Sequence, residues 1–254
     1  MKIQHHIITL LTLTFCLICS MEYVSAQNDG ASWEKTVFMG YNLGGTSPLP
    51  LPREIRKVNS WNPGFGGSLA FHVTRWFNSR WGATSGLAID VKSMNIDADV
   101  LYMQTRLVVG EGDQTGSFSG VFSGKNTTKV RNGYLVIPVL AAYRPAPDWV
   151  VRFGGYFAST RDTKFEGTAS DGYIRNGDST GDRINVEKAT FDFSDKERKA
   201  DAGLMASADW FFSKNMAVTG QLSWGLVPLF PSDFNGITYK MYNIYFLLGI
   251  AYDL

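Results

Sequence analysis

From Tyr242 to Leu254, large apolar residues occupy every second position: Tyr242, Ile244, Phe246, Leu248, Ile250, Tyr252 and Leu254. Between them stand Asn243, Tyr245, Leu247, Gly249, Ala251 and Asp253. A strand sends alternate side chains to opposite faces, so one face here is apolar throughout and the other is small or mixed. Eight segments carry this period, over 35–44, 64–74, 81–92, 134–143, 149–160, 201–212, 216–227 and 242–254. Leu69, Phe71 and Val73 alternate with Ser68, Ala70 and His72, and Val218, Leu222 and Trp224 with Thr219, Gln221 and Ser223. Segment 134–143 is apolar on both parities. The second face carries few charges and many glycines. That suits the inside of a narrow barrel better than the water-facing side of a sandwich.

The connections alternate in length. Segments 75–80, 144–148 and 213–215 are short, while 45–63, 93–133, 161–200 and 228–240 are long. This predicts an all-β fold: an eight-stranded antiparallel transmembrane β-barrel with short periplasmic turns and long extracellular loops. Aromatic residues gather at the short-turn ends, among them Trp76, Phe77, Trp81, Tyr143, Trp149, Trp210 and Phe212, as an interfacial girdle would. Within the second long connection, 99–109 is strand-like and 116–129 is rich in Gly, Ser and Thr, so the third and fourth strands are expected to continue above the membrane as a hairpin. Gly110–Gly116 reads as a turn. The third long connection is charged and poor in aromatics, and partial mobility is expected there. Pro48–Pro52 reads as a stiff loop.

The N-terminus follows another pattern. Lys2 precedes an apolar stretch over 7–20, and Val24-Ser25-Ala26 supplies small residues before a cut ahead of Gln27. A cleaved signal peptide over 1–26 and a barrel domain over 27–254 are expected. Cys16 and Cys19 both fall in the signal, and neither follows a small residue, which argues against lipoprotein processing. The remaining chain has no cysteine, which excludes disulfides and thiolate chemistry. Net charge is +1, which gives no electrostatic bias toward nucleic acid.

Chemistry-bearing residues are sparse. Beyond the signal the chain has one histidine, His72, followed two positions later by Thr74. By parity, Asp90, Arg152 and Asp209 point inward. A buried ion needs a partner, so Arg152 is expected to pair with Asp209 or Asp90 in a structural lumen network shared with His72. No phosphate-binding, dinucleotide or calcium loop occurs. No catalytic, metal or cofactor-binding residues are assigned, and no cofactor is expected.

"VFMGYNLGG", "GFGGSLAFHVTRWF", "YLVIPVLAAYRP" leading into "VVRFGGYFA", and the terminal "NIYFLLGIAYDL" together resemble the Bacteroidota-type outer membrane protein β-barrel domain family, which includes PorT-like proteins. The resemblance covers nearly all of 27–254. It implies a barrel of the cell outer membrane. The end also resembles the signal read by the barrel-assembly machinery, carried here by Gly249, Tyr252 and Leu254, although Leu replaces the usual Phe at the last place and Leu247 stands where a polar residue is usual. The expected partners are outer-membrane lipid, the assembly machinery and an envelope-complex protein, with no nucleic acid. The expected function is non-enzymatic, with a closed or narrow lumen, acting through outward loops or envelope contacts. A narrow channel, a lipid-modifying barrel enzyme and a secreted soluble barrel are the alternatives.

Overall fold

A computed structural model describes residues 32–109 and 116–254. The signal segment with its two cysteines, and nearly all of the Gly110–Gly116 turn, lie outside the described residues. The regular elements of the rest are strands and one short 3-10 turn over Ser194–Lys196. The strands are β1 (Ser32–Pro48), β2 (Ile55–Asn62), β3 (Gly67–Trp76), β4 (Trp81–Val109), β5 (Gly116–Ala146), β6 (Trp149–Asp162), β7 (Phe165–Asn176), β8 (Arg183–Asp192), β9 (Ala200–Phe211), β10 (Met216–Gly225) and β11 (Met241–Asp253).

Among the described residues eleven strands stand where eight were expected, and eight of them close a ring. Every pairing is antiparallel, and β1–β3–β4–β5–β6–β9–β10–β11 returns to β1 through Gly40↔Gly249 and its neighbours. A closed ring leaves no open edge within its own height. Alternation puts the oily parity outside it. In β3, Leu69 and Phe71 are exposed while Ser68, Ala70, His72 and Thr74 are buried; in β10, Val218, Leu222 and Trp224 are exposed while Thr219, Gln221 and Ser223 are buried. Met39, Ile89, Phe153, Phe157 and Leu248 extend this apolar outer surface around the ring. Ring closure also brings backbones close: a Cβ added at Gly86 would stand 2.9 Å from the His72 ring.

Above the ring, β4 and β5 continue together from Ser93↔Arg131 to Val109↔Gly116. Two of the long connections are not the irregular loops expected. The first contains β2, which pairs with β4 from Asn62↔Asn95 to Ile55↔Val100. The third, expected to be partly mobile, forms the β7–β8 hairpin on the free edge of β5. Its alternation is hard to see because bulges interrupt it. The β4–β5 register shifts between Val100 and Met103, and β5–β7 shifts between Ser123 and Lys125, with Tyr102 and Asp171 at positive φ. Bulges at one level bend the strands and increase their twist. The curled sheet returns β8 to β4 at Val108↔Thr190. Inside the curl lies an apolar core that includes Phe122, Val130, Phe165, Ile174, Val186 and Phe191. The connection from β10 to β11 caps it with Phe230, which meets Phe165 edge-on at 5.0 Å.

Candidate functional site

Two interior regions can hold function: the lumen of the ring and the space under the outward extension. The lumen is filled in tiers. At its short-turn end, Arg144 donates to Glu34 at 2.8 Å and lies over the Trp76 ring, whose Nε1 also donates to Glu34. Above this, Arg152 pairs with Asp209, both of them buried. His72 stands near them, edge-on to Phe38 at 4.8 Å. Asp90 is not joined to Arg152: it accepts from Asn42 at 2.6 Å and has the Lys92 ammonium at 3.9 Å. Of the four residues singled out from sequence, Arg152 and Asp209 thus form a pair and His72 and Asp90 flank one small void, rather than all four meeting in a single cluster. The void beside His72 and Asp90 measures about 10 Å³, room for about one water.

The upper tiers came from residues that pattern reading did not select. Lys92 is 1% exposed and lies 5.2, 5.2 and 5.6 Å from the ring centres of Tyr134, Tyr156 and Tyr245. Such a cage favours a cation electrostatically while excluding water. Asp201 accepts from Tyr156 and Asn243, each at 3.0 Å, and Asn243 also donates to Tyr134. At the top, Asn132 donates to Glu197, in the connection between the 3-10 turn and β9. Burial pushes the Glu197 carboxyl up to about 8. The signal that could have found Lys92 and Asp201 was present: both continue the inward parity of their strands. Their partners come from strands far away in sequence, which no local pattern names.

The outward extension holds a different interior. A cavity of about 500 Å³ lies between the top of β1, β2, the upper half of β4 and the β7–β8 aromatic residues. That volume is typical of small-molecule sites. Met94, Ile96, Ala98 and Val100, successive inward residues of β4, form one wall, and Phe165 and Phe191 form another. Asn126 and Thr128 make a small buried polar patch, and Thr105 is a further buried polar residue of the wall. Asn126 Nδ2 donates to Thr128 Oγ1 at 3.0 Å, and Asn126 Oδ1 has no hydrogen-bond partner. No Asp, Glu, Lys, Arg or His lines the cavity among the described residues. Sequence pattern alone could not place this cavity, because β4 supplies one wall and the other walls come largely from connections expected to be loops.

At the chain end, Gly249 pairs with Gly40 and Thr219, and a Cβ there would stand 2.1 Å from the Met39 carbonyl oxygen. Tyr252 and Leu254 are exposed. Among the described residues no group of three or more His, Cys, Asp or Glu is arranged to hold a metal ion.

A family model described as "Outer membrane protein beta-barrel domain" matches residues 25–231. No curated protein matches the sequence. Among solved structures the chain is similar to Ail, the attachment invasion locus protein of Yersinia pestis, in complex with the heparin analogue sucrose octasulfate, at 11% identity and a TM-score of 0.35, covering 89% of this chain and 100% of that one. It is also similar to the outer membrane protein OprG from Pseudomonas aeruginosa, at 10% identity and a TM-score of 0.37, covering 90% and 97%. The outer membrane protease OmpT from Escherichia coli is a further similar structure, at 14% identity and a TM-score of 0.30, covering 89% and 97%.

Proposed function

Since this chain belongs to the outer membrane protein β-barrel domain family and resides in the cell outer membrane, we propose that it is a non-enzymatic binding barrel with a closed lumen. Its short turns face the periplasm and its outward extension carries the ligand-contacting surface. The observation that carries this reading is the contrast between its two interiors. The column from Glu34 through Arg152–Asp209 and Lys92 to Glu197 fills the ring with polar side chains that pair with one another, while Glu34 Oε1, Arg152 Nε and Nη2, Asp209 Oδ1 and Glu197 Oε1 are buried without a hydrogen-bond partner. The extension above it instead walls an apolar cavity of about 500 Å³. A narrow eight-stranded barrel is just wide enough for side chains to fill.

Among the described residues no hydrogen bond joins the His72 ring, which stands edge-on to Phe38, to a hydroxyl that it could activate as a nucleophile. Gly249, Tyr252 and Leu254 are proposed as the handle for barrel assembly, and residues 1–26 as the cleaved export signal. The test is electrical. Purified folded protein inserted in planar bilayers should give no sustained single-channel conductance. A stable, ion-selective conductance would replace this reading with the narrow channel.

A further inference from the structure

We propose that the outward cavity binds a neutral amphiphile, with a hydrocarbon or aromatic body and a hydroxyl group, that enters sideways from the membrane through the seam between β1 and β2. This rests on the binding-barrel reading above and names its ligand class and route.

The seam follows from the pairing. β3 stops at Gly67, opposite Tyr41, so β1 from Leu43 to Pro48 keeps β11 as its sole strand partner. On the other side of the gap, β2 pairs with β4 and with no other strand. Two strand edges thus face each other unpaired, although free backbone groups favour pairing wherever geometry allows it. The cavity curls around the β1 edge. It is lined by inward-facing Thr46 and also by Gly45 and Ile244, which belong to the outward parity. Ile244 is the next member of the row Phe246, Leu248 and Ile250 on the apolar outer surface. The cavity wall and the lipid-facing surface are therefore continuous. Leu51, Val58 and Trp61 line the mouth and stand exposed, with Trp61 opposite Ile96 and Val58 opposite Ala98 just above the lipid-facing row, so an apolar path leads from that row up into the cavity.

The wall chemistry selects the ligand. With no ionisable Asp, Glu, Lys, Arg or His on it, an ammonium or carboxylate head would be desolvated without a counter-ion. A hydroxyl avoids that penalty, and Asn126, with an unpartnered oxygen beside Thr128, supplies a neutral acceptor within the buried patch. A plain hydrocarbon would fit the apolar walls but would leave the Asn126 oxygen unanswered.

The experiment uses the folded full-length barrel in lipid nanodiscs, with tritiated hexadecanol, hexadecane and palmitate at neutral pH as probes. Hexadecanol should bind saturably, at least tenfold more tightly than ionised palmitate and measurably more tightly than hexadecane. Ala98→Phe, which fills the cavity, should reduce hexadecanol binding at least tenfold, with Ala98→Met as the milder variant should A98F not fold. Asn126→Leu should erase the preference for hexadecanol over hexadecane while leaving hexadecane bound. Val58→Arg at the mouth should slow uptake from the bilayer. Equal binding of palmitate and hexadecanol, or unchanged binding in both Ala98 variants, would overturn the proposal. Planar-bilayer recordings on the same preparation separate the two failures: a silent barrel that ignores hexadecanol loses the ligand assignment alone, whereas a conducting one loses the closed-lumen reading.

Discussion

β4 and β5 pass through both halves of the molecule, and the same parity means opposite things in each. In the lower half of β4, Leu87 and Ile89 face out while Asp90 and Lys92 face in. In the upper half, Met94, Ala98 and Val100 are the buried side, and Asn95, Asp97 and Asp99 lie on the other. On β5 the outer face changes at the same level, with Leu135 and Val139 facing out below and Lys129 and Arg131 above, while its buried side stays largely apolar, with Val130 above and Val136 and Leu140 below; Ser93 pairs with Arg131. Neither strand changes direction there and their pairing with each other runs on, but their outer neighbours change, from β3 to β2 beside β4 and from β6 to β7 beside β5. The medium that the outer face is built for changes as well. Below, the outer surface is built for hydrocarbon, where a charge is costly, and the polar groups are gathered inside. Above, the surface is built for water, and the ordinary arrangement of an apolar core returns. We propose that the change at Ser93 and Arg131 marks the surface of the outer membrane.

The largest effect that should break this contrast lies in the lower lumen. Asp209→Leu strands the Arg152 guanidinium, which cannot be neutralised, among buried groups. A loss of about 3–5 kcal/mol is expected in denaturant unfolding of the barrel in vesicles. Arg152→Met should cost less, because a lone carboxyl group can take up a proton, and the double variant should recover most of the loss; equal losses in all three would show that the pair is not coupled. Next, Ile89→Arg places a charge on the lipid-facing side and should cost about 2–4 kcal/mol, whereas Asp99→Lys on the same strand above the boundary should stay within about 0.5 kcal/mol. Similar costs at both positions would remove the proposed solvent boundary.

A smaller effect tests the plug between the halves. Glu197 titrates near 8 in the fold against an ordinary 4.5, because burial disfavours its charged form. A carboxyl raised in this way contributes its full stability below the unfolded value and loses it as pH climbs through the folded one. Stability should therefore decline between about pH 4.5 and pH 8, by up to about 5 kcal/mol if the plug opens only on global unfolding. Glu197→Gln should flatten that decline, measured as unfolding midpoint against pH. A wild-type barrel with a flat profile over that window would mean that water reaches Glu197 in the folded state.

Alternation in single segments was enough to define the eight ring strands, their outward parity and the inward course of His72, Asp90, Arg152 and Asp209, because the period-two rule is local and lipid makes it strict. It also placed the continued β4–β5 hairpin, through strand-forming composition on both sides of a turn. Local pattern did not place β2, β7 and β8. Their apolar positions are few and charged neighbours surround them, and the bulge at Asp171 breaks the alternation between Ala169 and Ile174. Nor could it show that Arg152 meets Asp209 rather than Asp90, that three tyrosines from three strands enclose Lys92, or that a cavity opens beside the unpaired edge of β1. Those facts depend on ring register and on how the bulged sheet curls. Both are set by contacts between residues far apart in the chain, so only the closed tertiary structure decided them.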